Sequence, residues 1–285
     1  MDKIRGKTVV ITGAARGIGL ATTKALLARG ARVVIGDRDV SVLEQTVAGM
    51  SKLGPVSGHP LDVTDRKSFA AFLDKARADG GGPIDVLINN AGVMPVGPFL
   101  QQSTDAIRSS IEVNFYGVLT GCQLVLPEMV KRGNGHIVNV ASMAGMVALP
   151  GQVVYAGTKF AVVGLSRALA DEVASQGVDV TAVLPVFTNT DLISGTKTSV
   201  VTKPVQPEHV AAAIVKVLDK PKTQVSVPGV SRYIGILTML LPTRARRWLG
   251  NKTGTSTVFL NLDTEARAAY EDRAQHAIGV VEHRP

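Results

Sequence analysis

The 285-residue sequence predicts an α/β fold. The expected architecture is a doubly wound parallel sheet of about seven strands in a three-layer αβα sandwich. Three observations carry this. Short, continuous apolar runs rich in Val and Ile alternate with segments of helical spacing over the first two thirds of the chain. That is the pattern of parallel strands buried on both faces. A cluster of glycines lies between the first apolar run and the first helical segment, where a tight strand-to-helix turn is needed. Hydrophobic residues make up 45% and charged residues 19%. This excludes an intrinsically disordered chain and suffices for a sizeable core without disulfides or structural metals.

The elements follow in order. Thr8–Thr12 is a β-branched strand that ends at Gly13, and Ile18–Arg29 follows as a helix. Arg32–Gly36 and Val40–Leu53 form the second strand–helix pair, Val56–Asp62 and Lys67–Ala78 the third. Ile84–Asn89 is a fourth strand, followed by one long helix over Thr104–Lys131. His136–Ser142, a second long helix at Tyr155–Ser175 and the strand Val178–Leu184 continue the alternation. Right-handed crossovers place the helices on both faces. Val186–Gln206 is polar, rich in Thr and Ser, and reads as a loop. Pro207–Leu218 starts as a helix with Pro in its first turn, and Gln224–Val227 is the seventh strand. Thr264–Ala277 is a polar final helix. Residues 1–285 read as one domain, with 229–285 an extension rather than a second domain.

Composition narrows the function. Cys122 is the one cysteine, so neither an intrachain disulfide nor a Cys-based zinc site can form. No two of the five histidines stand at i, i+4 spacing, which argues against a metal-binding helix. Thirty-one basic against 23 acidic residues give +8, but aromatics are only 4% and no basic tract is interleaved with them. That argues against nucleic acid as a partner. No apolar run reaches the ~18 residues of a membrane span. The first residues run straight into a strand without the apolar stretch of a signal peptide, and a cytoplasmic protein is expected.

Thr12-Gly13-Ala14-Ala15-Arg16-Gly17-Ile18-Gly19 forms the first strand–helix turn. Glycines there let backbone approach a pyrophosphate, and the helix N-terminus offers free N–H groups and a positive dipole end. Asp37, 18 residues after Gly19 at the end of the second strand, can accept hydrogen bonds from the adenine ribose of NAD and would repel the 2′-phosphate of NADP. Arg16 and Arg38 work the other way, since either can pair with that phosphate. NAD is the expected cofactor, with NADP not excluded. Asp62 has two readings, a bond to the adenine amino group with Val63 beside the ring, or a turn of the Asp-x-Thr type.

Tyr155 and Lys159 stand four residues apart on one helix face. A free tyrosine titrates near ~10, and a neighbouring ammonium favours the phenolate. Ser142, at the end of the fifth strand, can face the crevice where such sheets bind ligands.

Together these residues resemble the short-chain dehydrogenase/reductase family, single-domain NAD(P)-dependent oxidoreductases with a Rossmann-type fold. The matching residues are Thr12–Gly19, Asn89-Asn90-Ala91-Gly92, Asn114, Ser142 and Tyr155-x-x-x-Lys159. They cover about residues 5–228. The resemblance implies hydride transfer between nicotinamide and a carbinol carbon. Tyr155 would be the general acid/base, with Lys159 lowering its pKa and binding ribose. Ser142 would orient the substrate oxygen, and Asn114 would hold a relay water. Asn90, Ala91 and Gly92 would wall the cofactor site. Pro185 and Thr190 fit the family pattern after the sixth strand, but Val186 stands where a glycine is common. Because Val avoids positive φ, the backbone there is expected to differ, with Val186 and Thr188 contacting the carboxamide. Residues 186–206 match the family's variable substrate lid. An acyl-thioester ketoreductase or a silent nucleotide-binding scaffold are the competing readings.

The resemblance implies a small-molecule alcohol or ketone as the substrate. The flanking residues Met94, Val96, Met143, Ala144, Val147, Leu149, Val153, Val154, Phe187, Leu192 and Ile193 are apolar, which suits a steroid-like or lipid molecule as well as it suits core packing. Residues 231–252 join an apolar stretch to Arg244, Arg246, Arg247 and Trp248. They could lie on a membrane surface, cover the pocket, or pack on a partner subunit. The resemblance also implies a homodimer or homotetramer through the two long helices, with Ile107, Ile111, Phe115, Val118 and Cys122 as contact candidates.

Overall fold

The structure, a computed structural model, describes residues 2–196 and 204–275. Seven parallel strands are ordered β3-β2-β1-β4-β5-β6-β7. They are β1 (Thr8–Thr12), β2 (Arg32–Asp37), β3 (Val56–Pro60), β4 (Val86–Asn89), β5 (Gly135–Val140), β6 (Val178–Pro185) and β7 (Gln224–Val227). The chain builds outward from β1 to β3, then returns to the other side of β1 with β4. That reversal opens a crevice at the carboxyl ends of β1 and β4, where sheets of this kind bind ligands. The helices are α1 (Gly17–Ala28), α2 (Val40–Met50), α3 (Arg66–Gly80), α4 (Thr104–Ile111), α5 (Gly117–Arg132), α6 (Val153–Val173), α7 (Pro207–Asp219), α8 (Ser231–Leu240), α9 (Thr243–Thr253) and α10 (Thr264–Gln275). Two buried apolar clusters lie on opposite sides of the sheet. Phe69, Phe72 and Met129 belong to one, Leu26, Leu43 and Ile214 to the other.

The structure departs from the sequence reading in several places. The long helix expected over Thr104–Lys131 is α4 and α5 joined by a π-helical turn, Glu112–Tyr116, closed by the Gly117 N–H donating to the Glu112 carbonyl. A widened turn of this kind rotates the following helix, and such turns concentrate at functional sites. Val118 and Cys122 are therefore core residues under the sheet, not subunit-contact candidates. Helical turns from Val153 to Gln176 are long and apolar enough to cross a membrane by length and composition. They pack against β6 and the turn after β5 instead, the behaviour of a core helix. The loop at 186–206 contains a short 3₁₀ turn, Asp191–Ile193, and a bridge between Thr188 and Val205; its residues 197–203 lie outside the described residues, as do Ala277 and the residue before it.

Candidate active site

The glycine turn forms because Gly13 takes φ +63° and packs so closely that a Cβ would lie 2.7 Å from the Ala91 Cα. The Thr12 hydroxyl accepts from the Asn90 and Ala91 N–H groups, and the Asn90 amide donates to the Thr12 and Gly13 carbonyls. The turn after β1 is thus stitched to the segment after β4. α1 begins with no side-chain cap and no acidic residue in its first turn, unlike α2, α3 and α4, which Asp39, Asp65 and Ser103 cap. Its N-terminal N–H groups remain available to an anion.

One cavity of about 1750 Å³ runs along the carboxyl ends of the strands. Gly13, Arg16, Gly17, Ile18, Asp37, Arg38, Asp62, Val63, Asn90, Ala91 and Gly92 line one half, and Ser142, Tyr155, Lys159, Pro185, Val186, Thr188 and Thr190 lie further along. Gly19 does not line it. It is buried where a Cβ would lie 2.7 Å from the Ala14 Cα and 2.8 Å from the Asn90 amide nitrogen, so it permits helix–turn packing. Asp37 accepts from the Ala15 and Asp39 N–H groups. Arg16 is paired with Asp39, an acceptor the sequence reading did not include. Asp62 Oδ1 accepts from the Thr64 N–H and hydroxyl, so the turn reading holds for that oxygen. Val186 needs no left-handed backbone, since no described non-glycine residue has positive φ. Its N–H donates to the Val227 carbonyl, prolonging the β6–β7 pairing.

Tyr155 and Lys159 sit in the first turns of α6, 5% and 4% exposed. Burial pushes the Tyr155 hydroxyl up to about 12, against a lowering hydrogen bond from Ser142 and with a further raising effect of Tyr270. Burial lowers the Lys159 ammonium to about 8. Lys159 Nζ donates to the Val140 carbonyl at 3.0 Å and lies 5.6 Å from the Tyr155 ring centre. The direction for Tyr155 in the protein alone is thus upward, not the expected lowering. Desolvation outweighs it, because the lysine is held by β5 and not by the phenol oxygen. Ser142 caps the 3₁₀ turn Met143–Gly145 by accepting from the Ala144 N–H. Asn114 does not line the cavity. Fully buried in the π turn, its side chain accepts from the Val93 N–H and donates to the Val93 carbonyl, each at 2.8 Å. It clamps Val93, which lines the cavity.

Most of the apolar flanking residues line the far half of the cavity, among them Met94, Met143, Val147, Phe187 and Leu192. Val96 and Val154 do not; Val96 is buried in the cluster behind it. That cluster includes Phe259, which stacks on Phe187 at 5.3 Å. Helix α10 adds two residues that no sequence motif marked. Arg267 is fully buried and donates to the Met94, Leu192 and Ser194 carbonyls. Tyr270 lines the cavity and accepts from the Met94 N–H at 2.6 Å.

A doubly wound sheet with an uncapped glycine turn and a buried Tyr–Lys pair at its crevice defines a class, the dinucleotide-dependent oxidoreductases. Comparison narrows this further. The family model described as short chain dehydrogenase matches residues 7–199. The oxidoreductase UcpA of Escherichia coli is 34% identical over 90% of this chain and 94% of its own length. The 3-oxoacyl-[acyl-carrier-protein] reductase FabG of Thermotoga maritima is 38% identical over 67% of this chain and 77% of its own. A solved short chain dehydrogenase/reductase from Burkholderia phymatum, in complex with NAD, superposes with a TM-score of 0.77 at 25% identity, covering 84% of this chain and 95% of that one. The chain belongs to the short-chain dehydrogenase/reductase family, NAD(P)-binding oxidoreductases that act on CH–OH groups.

Proposed function

We propose that the protein interconverts an apolar secondary alcohol and its ketone with NAD, using Tyr155 as general acid/base. The observation that carries this is one cavity lined by both the nucleotide-type turn and the Tyr155–Lys159–Ser142 group. The residues fit a dinucleotide. The α1 N-terminus would take the pyrophosphate, Asp37 the adenine ribose hydroxyls, and Lys159 the second ribose. When bound, the nicotinamide supplies the hydride donor or acceptor and, oxidised, a positive charge beside Tyr155. Tyr155 would donate its hydroxyl proton to the substrate oxygen in reduction; in oxidation it would first release that proton, and the phenolate would then take the proton of the alcohol. Ser142 would orient that oxygen, and Asn114 fixes the Val93 backbone through two hydrogen bonds.

Two observations favour NAD over NADP. Asp37, at the end of β2, lines the cavity and would repel a 2′-phosphate bound beside it, and Asp39 is paired with Arg16. The relatives named as 3-oxoacyl reductase and, at 33% identity, ketoacyl reductase HetN of Nostoc favour a second reading, reduction of an acyl-chain ketone. It keeps the same residues and differs in cofactor and direction. The lone cysteine fits a reducing compartment, and the cytoplasm is the proposed location. A homodimer or homotetramer is proposed through exposed residues of α4 to α6 such as Ile111 and Phe160.

Fluorescence titration with NADH and NADPH, on wild type and Tyr155→Phe, tests the reading. NADH should bind more tightly to both proteins, and the substitution should lower alcohol oxidation at least about 1,000-fold. Tighter NADPH binding would favour the ketoreductase reading. Retained turnover in Tyr155→Phe would remove the acid/base assignment.

A further inference from the structure

Among the described residues, helices α8 and α9 leave their large apolar side chains exposed. α8 rests on the protein through its small residues Ser231 and Gly235, both buried. A Cβ on Gly235 would lie 3.0 Å from the Met143 Cε and 3.2 Å from the Met146 Cε. Its large side chains face outward instead: Tyr233 is 71% exposed, Leu237 62% and Leu240 77%, with Ile234 and Met239 beside them. Trp248 of α9 is 62% exposed. This inverts the usual amphipathic arrangement, and a contiguous apolar patch marks an interaction site.

Charge identifies the occupant. No acidic residue lies between Asp219 and Asp263. Arg232, Arg244, Arg246, Arg247 and Lys252 are exposed, and none forms an ion pair with a described residue. Lys252 lies over the Trp248 ring at 5.1 Å, a pairing suited to a headgroup layer, where Trp and Lys both settle with one end wet. A twofold contact between copies through α9 would set these cations against each other with no carboxylate to offset them. An anionic lipid surface supplies the missing charge and accepts the apolar side chains.

We propose that α8 and α9 dock the enzyme on an anionic phospholipid bilayer. Ile234, Thr238, Arg246, Arg247 and Leu249 also rim the active-site cavity, so docking opens its mouth at the membrane surface. Uptake of apolar alcohols or ketones from the bilayer rests on the function proposed above; the docking itself does not.

The test is flotation of the full chain with vesicles of phosphatidylcholine and phosphatidylserine at 70:30, and with phosphatidylcholine alone. The substitutions are Leu237→Glu/Leu240→Glu and Arg232→Glu/Arg244→Glu, which lie outside the cavity lining. Wild type should float with the mixed vesicles, at least tenfold less with neutral ones and less in 0.5 M salt. Both double variants should lose at least tenfold in flotation while NADH affinity stays within twofold, a readout that keeps lipid binding separate from the nucleotide site. The proposal is overturned by absent wild-type flotation, by equal flotation on neutral vesicles, or by variants that float like wild type. A light-scattering mass that falls in Leu237→Glu/Leu240→Glu would assign the face to a second copy and overturn it equally.

Discussion

Tyr270 and Arg267 show how single residues can govern a site from outside its motif. Arg267 ties the segment after β4 to the loop after β6 by donating to three backbone carbonyls, and its guanidinium lies 4.7 Å from the Tyr270 ring centre. Removing it leaves buried carbonyls without donors, at about 1–3 kcal/mol each. Arg267→Met should therefore raise the alcohol KM at least about tenfold with kcat within threefold and NADH affinity unchanged; a pure loss of folding would lower all three together. Tyr270 also raises the Tyr155 pKa. The glycine turn and the Tyr155–Lys159 pair that line the cavity were legible in sequence because each motif is local, a turn or one helical repeat. Arg267 and Tyr270 were not, since their i, i+3 spacing on a polar helix looks like any solvated face until tertiary packing brings Met94 beneath it. Asp39 was half legible. An Asp before an apolar helical run signals a cap, but its pairing with Arg16 depends on how β1 and β2 align.

At the scale of elements, the strands were readable because each is a short apolar run; their order, β3-β2-β1-β4-β5-β6-β7, was not, since it depends on which edge of the sheet each crossover returns to. The break in the helix over 104–131 was hidden, since a π turn has no distinctive sequence and arises here where the Asn114 side chain clamps Val93. The β5–β6 pairing carries a buried histidine. His136 Nε2 lies 2.8 Å from the Thr181 hydroxyl, which itself donates to the Lys222 carbonyl. The hydroxyl proton is thus committed, and Nε2–H is the donor. Burial lowers the His136 pKa to about 4 from 6.5. Below pH 6.5 the unfolded chain binds a proton that the folded one refuses, so stability falls as pH drops from 6.5 towards 4. The loss from this group is about 2 kcal/mol by pH 5. Urea unfolding at pH 7 and pH 5 should show that decrement in wild type and lack it in His136→Gln. An equal decrement in both would place the acid sensitivity in other groups.

The molecule as a whole divides its labour along the cavity. The nucleotide half is built from the sheet and the turns at its carboxyl edge, held between two apolar clusters. The substrate half is built from segments distant in sequence, with Met94 from the loop after β4, Phe187 from the loop after β6, and Phe259 and Tyr270 from the last part of the chain meeting in a third cluster or at its edge. The part after β7 is therefore a wall of the site as well as an outer surface. Its backbone is joined to the substrate loop, with the Asp263 N–H donating to the Gly195 carbonyl at 2.9 Å. Phe259→Ala should open a cavity behind Phe187, at a cost of about 3–5 kcal/mol if the cluster belongs to the same cooperative unit as the sheet. At saturation near 100 times its Kd, NADH adds about 2.7 kcal/mol to any fold that holds the nucleotide half intact, which for a chain of this length is a rise of roughly 4–5 °C in Tm. Thermal unfolding of Phe259→Ala with and without NADH should thus show a lower baseline Tm and an undiminished NADH increment, together with a raised alcohol KM. A lost increment would mean that the two halves are one energetic unit, and that the last helices support nucleotide binding as directly as the glycine turn does.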